Sequence, residues 1–238
     1  DCKDTLPMLT KLIHKKEHAA WLKKFRELQK QEFEKCINVE LNPTTEVLTM
    51  GEVVKVINEL TDGKSVIVSD VGQHQMVACR YAKFNQSMSN VTSGGLGTMG
   101  FGLPAAIGAK LGAPNRTVIA ILGDGGFQMT LQELGTIMQN KIDLKILILN
   151  NHFLGMVRQW QDLFMEKRYS FSDIESPDFV ALASAYNIDS KRVESREFLK
   201  AAVQEMLKHK GPYLLEVKVG KENNVFPMVP QGCSVAEI

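Results

Sequence analysis

Between residues 65 and 219, short apolar runs recur at 65–69, 117–122, 144–149 and 213–219. Each is rich in Val, Ile and Leu and too short for a long helix. Such continuous runs predict strands buried on both faces. The segments between them have a helical rhythm. Thr49-Met50-Gly51-Glu52 is a capping-box pattern, predicting a helix from there to about Gly63. A glycine-rich stretch opens a helix through 103–111 that tolerates Pro104 in its first turns. Thr130-Leu131-Gln132-Glu133 predicts a cap for a helix ending near Asn140, Ser176-Pro177-Asp178 predicts another start with Pro at the first helical position, and Ser195 predicts a further cap. Strand alternating with helix predicts an α/β fold, a parallel sheet covered by helices on both faces.

The flanks differ. In residues 1–42, Trp21, Leu22, Phe25 and Leu28 share a helical stripe while Lys23, Lys24, Glu27 and Lys30 lie elsewhere. This predicts the helical end of a preceding domain, with a linker near Leu41-Asn42-Pro43-Thr44. The α/β domain is expected over 43–220, and an irregular tail, with Pro227 and Pro230, over 221–238. The chain starts at Asp1 inside a charged segment, so a fragment of a longer protein is expected.

Composition narrows the class of partner. With 44% hydrophobic and 23% charged residues and a net charge of +1, the chain is of ordinary globular type, and neither nucleic acid nor an acidic membrane is expected as partner. Cys2, Cys36, Cys79 and Cys233 form no CxxC pair, which points to a reducing, cytoplasmic setting.

Chemistry gathers where the apolar runs end. The run at 117–122 leads into Gly123-Asp124-Gly125-Gly126, and the run at 144–149 into Asn150-Asn151. If these strands are parallel neighbours, both loops open at one carboxyl edge, where α/β folds bind ligands. A carboxylate and an amide oxygen would face each other there. That donor set suits Mg²⁺, which takes few protein oxygens and leaves positions for phosphate. The glycines would let backbone N–H groups approach the phosphate. A third polar loop, Asp70-Val71-Gly72-Gln73-His74-Gln75, follows the run at 65–69. Asp-Gly and Asn-Asn after strands are also ordinary turn chemistry, and that reading stands beside the ligand-binding one on pattern alone. Gly95, Gly97 and Gly100 also satisfy GxGxxG, so a non-catalytic NAD-binding module is an alternative. The polar, broken segment 83–90 before them is a poor first strand for it.

The 27-residue interval from Asp124 to Asn151 resembles the GDG…NN signature of thiamine-diphosphate enzymes. In combination, Val71-Gly72-Gln73-His74-Gln75-Met76 and the segments 93–102, 123–130 and 149–161 resemble, in order and spacing, the acetolactate synthase (acetohydroxyacid synthase) large catalytic subunit family. The resemblance covers the family's C-terminal third and the end of its middle domain. It implies a thiamine-diphosphate-binding fold and a reaction in which pyruvate loses carbon dioxide and is joined to a second 2-ketoacid, pyruvate or 2-ketobutyrate, in branched-chain amino-acid synthesis. Another thiamine-diphosphate carboligase, a pyruvate oxidase or a decarboxylase is the alternative within the same cofactor class.

Roles follow residue by residue from that resemblance. Asp124 and Asn151 would be Mg²⁺ side-chain ligands, with the Phe153 carbonyl a third. Gly72, Gln73, His74, Gly125 and Gly126 would surround the diphosphate. The Gly97 carbonyl would accept from the aminopyrimidine, and Met99 would wedge between the cofactor rings; Met156 would stand at both cofactor and substrate. Met156, Val157 and Trp160 would line the acceptor pocket. Gly126 stands where relatives often carry Ser, and His152-Phe153 replaces more acidic residues. The family's cofactor-activating Glu and most FAD contacts belong to domains that no stretch here matches, so no catalytic residue is expected in this chain. The resemblance also implies a homodimer and a possible small regulatory subunit.

Overall fold

The computed structural model describes residues 1–221, 223–229 and 232–234. Two compact units divide it, 1–38 and 39–238. The first holds helices α1 (Cys2–Leu12) and α2 (Ala19–Glu32) and a π-helical turn, Phe33–Ile37. Neither α1 nor α2 buries any residue, and the Trp21, Leu22, Phe25 and Leu28 stripe of α2 is exposed.

The second unit is built on six parallel strands: β1 (Val66–Ser69), β2 (Asn90–Thr92), β3 (Val118–Gly123), β4 (Lys145–Asn150), β5 (Asp189–Val193) and β6 (Tyr213–Lys218). Their order across the sheet is β2-β1-β3-β4-β6-β5. Alternate residues serve opposite faces. Ile119, Ile121, Leu147 and Leu149 join one core; Val118, Ala120, Leu122, Ile146 and Ile148 join the other. This two-sided burial explains why β3 and β4 read as unbroken apolar runs. After a short helix, α3 (Asn38–Leu41), one face is covered by α4 (Met50–Thr61), α5 (Gln73–Tyr81) and, late in the chain, α11 (Arg196–Lys208). The other is covered by α6 (Gly102–Gly112), α7 (Asp124–Thr130), α8 (Leu134–Asn140) and α10 (Phe179–Ala185). Helix α9 (Gly155–Phe164) follows β4.

Local chemistry departs from the sequence pattern at several helix starts. Thr49 caps α4 as expected, accepting from the Glu52 N–H at 3.1 Å, but the Glu52 carboxylate turns to Arg196 rather than back to the cap. The expected cap at Thr130 is absent. Strand β3 runs directly into α7 at Asp124, a 3₁₀ turn (Leu131–Glu133) follows, and the Thr130 hydroxyl donates instead to the Gly100 carbonyl at 3.1 Å. Asp178, not Ser176, caps α10, accepting from the Val180 and Ala181 N–H groups, so Pro177 lies before the helix. Ser195 precedes α11 without a side-chain cap bond. Strands β2 and β5, the two sheet edges, carry sequences too polar to have been predicted. Of the expected irregular tail, 223–229 and 232–234 are without helix or strand, and Pro230 lies outside the described residues.

Chain connections diverge at β1. One leads outward to β2 and the next returns to β3 on its other flank, leaving a crevice at their carboxyl ends. Phe127 holds α7 beside that crevice, fully buried and edge-on to Phe179 of α10, with ring centroids 5.3 Å apart. Replacing Phe127 with Ala is expected to cost about 3–5 kcal/mol of stability, read as a lowered urea midpoint; an unchanged midpoint would show that α7 is anchored by something else.

Candidate functional site

The crevice holds a cleft of about 540 Å³, counting the part open to solvent. Three strand ends supply its walls. Val71, Gly72, Gln73 and His74 follow β1; Asp124, Gly125 and Gly126 follow β3; Asn151, Phe153, Leu154, Gly155, Met156 and Val157 follow β4. Met99 enters from the glycine-rich loop. Gly123 pairs with Leu149 in the sheet register, so Asp124 and the Asn150-Asn151 pair leave adjacent strands at one level.

Asp124 is buried, and its Oδ2 accepts from the Ser176 hydroxyl at 3.2 Å. Burial pushes its carboxyl above the ordinary value, against the Ser176 hydrogen bond. The Asn151 Oδ1 accepts from the Phe153 N–H at 3.1 Å, bending the chain so that the Phe153 carbonyl and the Asn151 side chain belong to one tight turn. His152 between them has a left-handed backbone, φ 60°. Leu154 donates to the Ser172 carbonyl at 2.7 Å, and Ile174 to the His152 carbonyl at 3.0 Å, so the segment before α10 lies against this turn.

His74 is packed under the cleft. A Cβ on Gly72 or on Gly123 would lie 2.9 Å from its ring, so both neighbours must be glycine for the imidazole to fit. Its Nε2 is buried and finds no hydrogen-bond partner among the described residues. Burial lowers its pKa to about 4, leaving a neutral ring at physiological pH.

Asp70, at the end of β1, accepts from the Gly100 N–H at 3.2 Å and the Gly102 N–H at 3.3 Å. It thereby ties the glycine-rich loop to the sheet. Burial raises its pKa and these backbone hydrogen bonds oppose the rise. The Asp70 carboxylate also occupies the space a Cβ at Gly126 would need, which gives a reason for Gly at that position.

Of the residues singled out in the sequence, Gly72, Gln73, His74, Met99, Asp124, Gly125, Gly126, Asn151, Phe153, Met156 and Val157 line this cleft. Gly97 and Trp160 do not. Gly97 sits in an exposed loop with φ 62°, and Trp160 packs beside Phe164 one turn further along α9, its ring about half exposed. Sequence reasoning missed Asp70, Ser176 and the fully buried Gln159, which accepts from Gln73 at 3.0 Å and from the Val225 N–H at 2.9 Å. Only Asp70 carried a signal, its place at a strand end.

A diphosphate with its cation fits these residues. The glycine walls leave room at the backbone, α5 and α9 begin at the cleft, and one buried carboxylate lines the same cleft as an asparagine amide. Among the described residues no three His, Cys, Asp or Glu side chains gather as a metal cluster, so a cation here would rest on mixed oxygen donors and phosphate.

Residues 70–217 match the family described as thiamine pyrophosphate enzyme, C-terminal TPP binding domain. The chain belongs to this family. That membership accounts for the glycine-rich loop without a dinucleotide. Among curated proteins it is similar to the acetolactate synthase isozyme 2 large subunit of Escherichia coli K12, 47% identical over 186 residues, covering 76% of this chain and 34% of that protein. It is also similar to the mitochondrial acetolactate synthase catalytic subunit of Saccharomyces cerevisiae, 42% identical over 235 residues (97% and 34%), and to the acetolactate synthase large subunit of Cyanidium caldarium, 40% identical over 231 residues (96% and 38%). The chain spans about a third of the length of the curated relatives it matches. No helix among the described residues is long and apolar enough to cross a membrane.

The burial of His74 sets a pH dependence. Its folded pKa of about 4 lies below the unfolded value of 6.5, so the unfolded chain binds the extra proton and stability is lost as pH falls from 6.5 toward 4. The loss attributable to this residue is on the order of 3 kcal/mol. The raised carboxyls of Asp70 and Asp124 act with the opposite sign, so wild type is compared with His74→Gln. Urea midpoints followed across that range should fall more steeply for wild type; parallel curves would mean the ring is solvated.

Proposed function

We propose that this chain forms the thiamine-diphosphate and Mg²⁺ domain of an acetolactate synthase, which decarboxylates pyruvate and joins the remainder to a second 2-ketoacid, pyruvate or 2-ketobutyrate. The observation that carries this reading is that Asp124, Asn151 and Phe153 meet Gly72, Gln73, His74, Gly125, Gly126 and Met99 in one cleft; the curated relatives, all named acetolactate synthases, support it.

When bound, thiamine diphosphate supplies a carbon nucleophile for the keto carbon and an acceptor for the electron pair released with carbon dioxide. This chain's residues hold that group. Asp124, Asn151 and the Phe153 carbonyl bind Mg²⁺, a set within the few protein oxygens this ion takes. Gly72, Gln73, His74, Gly125 and Gly126 surround the diphosphate, where the neutral His74 ring adds no charge. Met99 supports the rings, and the Gly97 carbonyl, exposed and outside the cleft walls in this chain, is assigned the contact with the aminopyrimidine. Met156 and Val157 line the substrate side, and Trp160, outside the cleft walls in this chain, is assigned to the same acceptor pocket. We assign the proton-activating Glu and FAD binding to regions beyond this chain, consistent with relatives about three times as long. Residues 1–42 are assigned to the end of a preceding domain and 43–220 to the cofactor domain. A homodimer, with room for a small regulatory subunit, completes the proposal, in the cytoplasm, where the unpaired Cys2, Cys36, Cys79 and Cys233 stay reduced.

Cofactor titration of the protein carrying this chain tests the reading. Thiamine diphosphate binding that requires Mg²⁺ and is weakened at least about 100-fold, roughly 3 kcal/mol, by Asp124→Ala is expected; metal-independent binding of NAD in its place would sink it. Acetolactate measured after incubation of the purified 238-residue chain with pyruvate and both cofactors should stay at background, and turnover there would contradict the assignment of the activating group elsewhere.

A further inference from the structure

We propose that Glu216, buried within β6, is a positioning residue that sets the conformation of the turn 150–153 and so the affinity of the site for its divalent cation; this rests on the reading above, that Asn151 and Phe153 belong to that site. Strands β4 and β6 are parallel neighbours, with Ile148 opposite Glu216 and Asn150 opposite Lys218. The Glu216 side chain is wholly buried, and both its oxygens are engaged. Oε1 accepts from Asn150 Nδ2 at 2.8 Å and from Lys218 Nζ at 3.0 Å, while Oε2 accepts from Arg192 Nε at 2.6 Å. A buried carboxylate needs such donors, and together they leave it little freedom to move.

That fixed charge orients the turn by two routes. With its Nδ2 committed to Glu216, Asn150 presents Oδ1 to the His152 N–H, which donates to it at 3.1 Å. Lys218, held by the same carboxylate, brings Nζ within 2.9 Å of His152 Nε2. His152 needs this support because a left-handed backbone is unfavourable for a residue other than glycine unless its surroundings hold it. Its carbonyl is occupied as well, by the Ile174 N–H at 3.0 Å. His152 stands directly between the two donors of the turn, so whatever fixes its backbone fixes the Asn151 side chain and the Phe153 carbonyl relative to each other.

Glu216→Gln keeps the shape of the side chain and turns an N–H₂ toward groups that are themselves donors. In the protein carrying this chain, the MgCl₂ concentration giving half-maximal binding at saturating thiamine diphosphate, followed by calorimetry and by tryptophan fluorescence, is expected to rise about 10- to 100-fold, as for other residues that orient metal ligands. Excess MgCl₂ should restore both binding and kcat, which a general loss of structure would not allow. A half-saturation value within twofold of wild type overturns the proposal. Should Glu216→Gln fail to fold, Lys218→Met decides: a raised Mg²⁺ requirement at an unchanged urea midpoint supports it, and an unchanged requirement overturns it. Wild-type protein that needs no Mg²⁺ to bind thiamine diphosphate would sink both this inference and the functional reading, whereas normal wild-type binding with unaltered variants sinks the positioning role alone.

Discussion

The pairing of β3 with β4 is the constraint on which the site depends. Parallel strands cannot be joined by a tight turn, so the chain crosses over through α7 and α8 before β4 can lie beside β3. The ladder then fixes Gly123 opposite Leu149, and the residues that follow emerge side by side at one sheet edge. A carboxylate and two asparagines far apart in sequence become neighbours through backbone hydrogen bonds alone. The strength of that ladder comes from burial on both faces. Ile119 to Leu122 and Ile146 to Leu149 are all fully withdrawn from solvent, and a slip of one residue would exchange the two cores.

Around this frame the site is made by exclusion of side chains as much as by their presence. The His74 ring fills the space beside Gly72 and Gly123, and the Asp70 carboxylate fills the space beside Gly126. Each glycine thus has a specific neighbour that requires it. Asp70 does more than occupy volume, because its hydrogen bonds to the Gly100 and Gly102 N–H groups hold the loop that carries Met99 over the cleft. Two polar groups, a neutral imidazole and a buried carboxylate, therefore set where the glycine-lined part of the cleft can form.

The sequence made the centre of this molecule legible and its margins obscure, for a physical reason. Strands β1, β3, β4 and β6 lie between two helical layers and are apolar over most of their length, so hydropathy alone marks them. Strands β2 and β5 have a neighbour on one side only, and β5 reads Asp-Ser-Lys-Arg-Val, which no periodicity distinguishes from a loop. The candidate ligands Asp124 and Asn151 were readable because each follows an apolar run. Their supports were not: Ser176 reaches Asp124 across 52 residues and Asp70 reaches Gly100 across 30, distances at which local pattern carries no information. Thr130 shows the same limit from the other side, since its capping pattern was locally sound but its hydroxyl was drawn to Gly100.

The two margins that escaped the hydropathy pattern have a consequence of their own. An outermost strand presents unpaired amide groups to which another polypeptide can add, the usual route to uncontrolled stacking of sheets. Here one border is only three residues long and the other carries Lys191 and Arg192, whose charges and shortness discourage such docking. The sheet's two borders are thereby poor templates for growth.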